Sequence, residues 1–294
     1  MARKQKQSKQ RPTGERLQSA FGVFTTALSC AVLLAILVGL VVGREAMLRE
    51  ASRLKATPVR LEFRWPPLAV PPGGVMHRAI DGVPNTWLDV KSRRALESLV
   101  LAELTGDPFD DQSLRTAQQK LMETGWFAEQ CTIRRDPDGV IRVEGQWREP
   151  VAAVRYGDFD YLVAYRGERL PAAYQPDASG LKAVIGPQMT PPKLGEPWIG
   201  GDVQAGLALL EFLRTMPFYH QVAAIDVSEY NARKRLLIIT DRGSTIVWGG
   251  EPGNFHPGQA RDDLKRTRLM RLFRESGRID SGRDLLNVSL SSGY

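Results

Sequence analysis

The side chains of this 294-residue chain best suited to metal or nucleophilic chemistry are His77, His220 and His256, with Cys30 and Cys131. Zinc sites draw ligands from short fixed spacings such as C-x-x-C or H-x-x-x-H. The three histidines stand in separate loop-like segments and show no such spacing. No G-x-S-x-G elbow is present, so the hydrolase that needs one is excluded. Gly200-Gly201-Asp202-x-x-x-Gly206 lacks the Lys-Ser/Thr of a phosphate-binding loop and the G-x-G-x-x-G pattern, and reads as a helix start with Asp202 as its N-cap. Asp262 and Asp263 are adjacent. On a helix they point about 100° apart and cannot face each other as acid and base. The residues therefore point away from an enzyme, with no cofactor, no metal site and no small-molecule substrate.

Two further groups of residues suggest binding. Arg261, Lys265, Arg266, Arg268, Arg271 and Arg274 form a basic run over Leu264, Leu269, Leu272 and Phe273. It is read as the solvated face of a helix, with an anionic lipid or acidic partner as the second reading. At the C-terminus, Leu285-Leu286-Asn287-Val288-Ser289-Leu290 has the composition of a strand. Side chains alternate along a strand, so Leu286, Val288 and Leu290 are assigned to the core and Leu285, Asn287 and Ser289 to the other face. The main chain from Asn287 to Leu290 is expected at a sheet edge.

The elements that carry these residues begin with an anchor. Leu17 to Gly43 contains no charged residue. A bilayer core of about 30 Å needs roughly 20 apolar residues in a helix, and a signal-peptide core is shorter, at about 7–15. Residues 17–43 are thus read as an uncleaved transmembrane helix. The tail before it (residues 1–16) has six basic residues against Glu15 alone, which leaves 34 of the 40 basic and 32 of the 33 acidic residues elsewhere. The excess places the tail in the cytoplasm and residues 44–294 outside, and it weakens any case for nucleic-acid binding. With Cys30 inside the anchor and Cys131 alone beyond it, no intrachain disulfide is expected; Cys131 is read as buried in a strand.

Residues 44–57 read as a juxtamembrane stalk, and Val59–Phe63 as a strand. A stretch with Pro66, Pro67, Pro71, Pro72, Gly73 and Gly74 follows. Leu96, Leu99, Val100 and Leu104 then share one helical face, and Leu114, Ala117 and Leu121 another. Asp110 or Asp111 serves as N-cap and Gly125 as the stop. The Asp136-Pro137-Asp138-Gly139 turn joins strands at Cys131–Arg134 and Val140–Val143. The order is strand, helix, helix, strand, strand. After Pro150 the chain is read as mostly β. Strands are expected at 151–156, 161–165, 222–228, 235–240, 245–248 and 285–290, with helices at 202–215 and 258–274. Trp126, Trp147, Trp198 and Trp248 are assigned to the core, Trp65 and Trp87 to a surface.

Several stretches carry a family resemblance. Leu121-Met122-Glu123-Thr124-Gly125-Trp126-Phe127-Ala128, the Ile133-Arg134-Arg135/Val140–Val143 hairpin, Arg148-Glu149-Pro150-Val151-Ala152, Tyr161-Leu162-Val163 before Gly167, and Thr240–Gly249 occur in this order. Together they resemble the FtsQ/DivIB family of bacterial cell-division proteins. Two departures stand out: the long stretch from Pro66 to Pro84, and Ser289-Leu290 where the family commonly has Arg-Tyr.

The resemblance implies an α+β chain: the transmembrane helix, a POTRA-type β-α-α-β-β domain over 58–149, and a mostly antiparallel β domain with accessory helices over 150–294. It also implies a non-enzymatic divisome scaffold in the plasma (inner) membrane, found at the division septum. Its partners would be FtsB/FtsL-like membrane division proteins, bound at the edge strand Leu285, Leu286, Asn287, Val288, Ser289 and Leu290. A POTRA-bearing envelope assembly or secretion component is the alternative, though neither tandem POTRA units nor a membrane barrel is evident.

Overall fold

The computed structural model describes residues 60–67, 86–105, 107, 109–254 and 256–291, together with Arg44. The tail, the apolar segment 17–43, nearly all of the stalk, His77 and most of the proline-rich stretch lie outside the described residues. No described helix is long and apolar enough to cross a membrane. The described residues of 59–105 and 110–294 form one compact unit with two hydrophobic clusters.

The N-terminal lobe runs β1 (Leu61–Phe63), α1 (Val90–Glu103), α2 (Asp111–Glu123), β2 (Phe127–Arg135) and β3 (Ile141–Trp147). This is the order that the periodicities predict. The sheet order is β1-β3-β2, with β1 parallel and β2 antiparallel to β3. Each helix starts at an aspartate that satisfies an otherwise orphan N–H: Asp89 accepts from Ser92 N–H at 2.7 Å and Asp110 from Ser113 N–H at 3.1 Å. Leu96 and Val100 of α1 and Leu114, Ala117 and Leu121 of α2 are buried in one cluster with Phe127, Ile133, Ile141 and Val143 of the sheet. Gly139 adopts φ +81° in the hairpin turn, and its N–H donates to the Asp136 carbonyl at 2.9 Å. Cys131 is buried in β2, and burial pushes its thiol up to about 12. It is a core side chain with little thiolate at neutral pH.

The C-terminal lobe runs β4 (Ala152–Tyr156), β5 (Phe159–Val163), β6 (Arg169–Tyr174), β7 (Ala183–Ile185), α3 (Asp202–Arg214), β8 (Val222–Asp226), α4 (Tyr230–Arg233), β9 (Leu236–Thr240), β10 (Thr245–Gly249), α5 (Asp262–Ser276) and β11 (Leu285–Asn287). All eight strands form one sheet, in the order β11-β10-β9-β8-β7-β4-β5-β6. Four of its seven pairings are antiparallel, in line with the mostly antiparallel domain expected, and the β4–β7, β7–β8 and β10–β11 pairings are parallel. Parallel neighbours need a long crossover. The segments carrying α3 and α5 supply it between β7 and β8 and between β10 and β11.

Residues of β4 alternate between two cores. Ala152 and Val154 point into the cluster that includes α3 and α5 residues, and Ala153 into the cluster of the N-terminal lobe. The sheet is therefore sandwiched at this end. The lobes meet closely at two glycines. A Cβ on Gly125, where φ is +82°, would sit 2.9 Å from the Gly195 nitrogen. Arg148 holds the same corner, its guanidinium donating to the carbonyls of Gly125 (3.0 Å) and Ala128 (3.3 Å). Trp126, Trp198 and Trp248 are core residues as expected; Trp65 and Trp87 are also packed against the N-terminal cluster instead of lying free at a surface.

Candidate functional site

β11 is the last strand of the eight-stranded sheet, and among the described residues none lies beyond it. Its position is set by the loop before it. Arg278 donates to both carboxylate oxygens of Asp241 (2.7 and 3.2 Å) and also pairs with the buried Asp280. Gln221 adds a second tie, donating to the Gly277 carbonyl at 2.8 Å and accepting from Ile279 N–H at 3.0 Å. The loop is thus bound to the β9–β10 turn and to the start of β8.

From there β11 runs parallel to β10, pairing Leu285 with Thr245, Leu286 with Ile246 and Asn287 with Val247. Thr245 N–H donates to the Asp284 carbonyl at 2.8 Å, and Val288 N–H to the Val247 carbonyl at 3.1 Å. In a parallel ladder alternate residues face the neighbour. The Asp284 carbonyl, the main chain of Leu286 and the Val288 N–H therefore face β10, and the N–H and C=O of Leu285 turn to the open edge. The side chains follow: Leu286 and Val288 are buried in the core, whereas Leu285 is 66% exposed.

The expected edge over 287–290 is not what the structure builds. Ser289 N–H donates to Asn287 Oδ1 (2.9 Å), and the Ser289 carbonyl accepts from Ala260 N–H (2.7 Å). Arg268 Nη1 donates to the carbonyls of Val288 (2.9 Å) and Leu290 (2.6 Å). Past the Val288 N–H the chain leaves the ladder and is held by Ala260 and by Arg268 of α5. This reverses the assigned phase, with Ser289 7% exposed and Leu290 51% exposed. Of the six residues singled out, Leu285, Leu286 and Asn287 form the edge strand, and Val288, Ser289 and Leu290 form its internally bonded stop.

The basic run on α5 divides in the same way. Arg268 is the buried clamp on that stop. Lys265 is buried too: its Nζ lies 4.9 Å from the Trp248 ring centroid and 3.4 Å from Asp262 Oδ1. Burial holds its ammonium below the usual lysine range, with Asp262 opposing. Arg261, Arg266, Arg271 and Arg274 remain exposed. Periodicity marked Lys265 and Arg268 as polar and so as solvated. Their long stems allow a charged end to reach a carbonyl or a ring inside the fold. The N-cap expectation at Asp202 also shifts: Gly201 occupies that place, and Asp202 is buried, accepting from Gln188 N–H (2.9 Å). Among the described residues no group of three or more His, Cys, Asp and Glu side chains is gathered to hold a metal.

The Arg278 network makes a pH prediction. Asp241 and Asp280 are both held below the usual carboxylate range, chiefly by hydrogen bonds from Arg278. A carboxylate with a depressed folded-state pKa contributes stability above its unfolded value, and that stability is lost as pH falls through the folded value. The melting temperature should therefore fall between about pH 5 and pH 2, and fall less steeply in Arg278→Gln. Parallel pH curves for the two proteins would show that the network contributes nothing to the stability of this corner.

No family model matches the chain, and no curated protein matches it. Among solved structures, the major extracytoplasmic domain, in its trans isomer, of the bacterial cell division protein DivIB from Geobacillus stearothermophilus matches at 14% identity and a TM-score of 0.25. The match covers 36% of this chain and 81% of that one. The likeness is distant.

Proposed function

We propose that this chain is a non-enzymatic scaffold of bacterial cell division. Residues 17–43 hold it in the plasma membrane, and its outer lobes bind other membrane division proteins, FtsB/FtsL-like in kind. The observation that carries the reading is the open edge at Leu285, built on a rigid sheet and stopped at Ser289 by Arg268 and Ala260. An unpaired edge is a template for a partner strand, and natural proteins usually blunt or cover it. Here the following residues are bonded internally, while among the described residues the main chain of Leu285 faces an open edge. The motif order from Leu121 to Gly249 supports placing that edge in cell division.

A fluorescent fusion of the full chain tests the cellular half of this reading. Enrichment at the division septum is expected in dividing cells. A uniform signal around the envelope at every stage of the cycle would contradict it.

A further inference from the structure

The opposite end of the same sheet carries a second open edge. Among the described residues β6 is the last strand there. It borders a groove of about 570 Å³ whose other wall is α1. Four consecutive residues of β6, Pro171, Ala172, Ala173 and Tyr174, line this groove. A strand presented by its face would contribute alternate residues; consecutive residues mean that its main-chain edge forms the wall.

The direction of the Ala173 main chain follows from the ladder. Ala153 N–H donates to the Lys182 carbonyl on the β7 side, so Ala152, Val154 and Tyr156 bond to β5. Their partners Val163, Tyr161 and Phe159 then bond to β4, which leaves Asp160 to bond to Tyr174 of β6. Ala173, the neighbour of Tyr174, turns its N–H and C=O outward into the groove. Its side chain is exposed, and its N–H has no partner among the described residues. At the other end of β6 the edge is closed, since Arg169 donates to the Glu196 carbonyl and accepts from Gly195 N–H.

The facing helix is suited to an extended chain. Ser92, Ala95 and Leu99 fall on one face at i, i+3 and i+7, and their small or apolar side chains leave the groove open. The charges in the lining are unequal in status. Asp89 is occupied by Ser92 N–H and Oγ as the helix cap, whereas Lys91 makes no ion pair among the described residues.

We propose that the groove between α1 and β6 binds an extended peptide segment of a partner protein. The segment adds to β6 beside Ala173 as a further strand, with apolar side chains toward α1 and a carboxylate near Lys91. A main-chain edge beside a helix is satisfied by another main chain, and Lys91, the groove's cation with no ion pair among the described residues, selects an acidic one. This site is separate from β11, and its test does not depend on the division reading.

The probe is a displayed library of random twelve-residue peptides, panned on the full chain in detergent micelles. Enriched peptides are expected to alternate apolar residues and to carry an acidic one. Proline is tolerated at an edge where the N–H points away from the ladder. Ala173→Pro should therefore keep the fold, checked by melting temperature, yet weaken these peptides at least tenfold, while Ala173→Ser binds like the parent. Lys91→Glu should abolish the preference for acidic residues. Ala95→Trp, at an exposed helix position, should block binding even if the proline variant melts early. The proposal is overturned if no peptide is enriched above a blocked control. It is equally overturned if the enriched peptides bind the parent and Ala95→Trp alike.

Discussion

Replacing Leu121 by alanine is expected to destabilise the chain by about 2–5 kcal/mol, the range for deleting most of a fully buried leucine side chain. Leu121 is 0% exposed on α2 and sits in the cluster that joins both helices of the N-terminal lobe to its sheet. Neighbouring main chain limits collapse around the resulting cavity. Thr124 Oγ1 donates to the Leu121 carbonyl at 2.6 Å, and Gly125 is packed against Gly195 immediately beyond. For a unit of 150–250 residues each kcal/mol shifts the midpoint by roughly 2–4 °C. Thermal unfolding of the full chain in detergent should show a drop of several degrees or more. An unchanged midpoint would mean that α2 does not anchor the lobe through this face.

The N-terminal lobe was legible because its signals are local. Leu114, Ala117 and Leu121 repeat at helical spacing, Asp110 precedes the repeat as a cap, and Asp136–Gly139 closes a hairpin. Each is read from a few neighbouring residues, and each is present in the fold. The C-terminal lobe was legible only in part. β6 carries Pro171, which argues against a central strand and fits the edge that it occupies. β7 has only three residues, Ala183–Ile185, too few to show a period, and it is placed at the centre of the sheet by pairing with β4 and β8. Such long-range parallel pairing leaves no local signature.

The candidate edge shows the same limit. Alternation assigned Leu286 and Val288 to the core correctly. It failed at Ser289 because the chain stops being a strand there. The cause lies elsewhere in the chain, in Arg268 and Ala260, whose bonds to the Val288, Ser289 and Leu290 carbonyls end the ladder. Arg268 itself was placed on a solvated face, since its polar type gives no hint that α5 needs it inside.

Partner binding at β11 should depend on the N–H of Leu285 and hardly at all on that of Ser289, which Asn287 already accepts. Proline at Leu285 removes an outward donor without touching the β10 ladder, which is served by Asp284, Leu286 and Val288. A partner carbonyl left unpaired in the interface costs about 1–3 kcal/mol, a loss of roughly five- to a hundredfold or more in affinity. Alanine at the same position keeps the N–H and removes the same exposed side chain. Comparing the two isolates the main-chain bond from the side-chain contact.

The deciding measurement is recovery of membrane division proteins with the tagged full chain from dividing cells, using Leu285→Pro against Leu285→Ala, each with an unchanged melting temperature. Strand addition at β11 predicts that Leu285→Ala recovers the partner and Leu285→Pro loses most of it. Equal recovery with both variants would contradict the account and move the binding surface away from this edge.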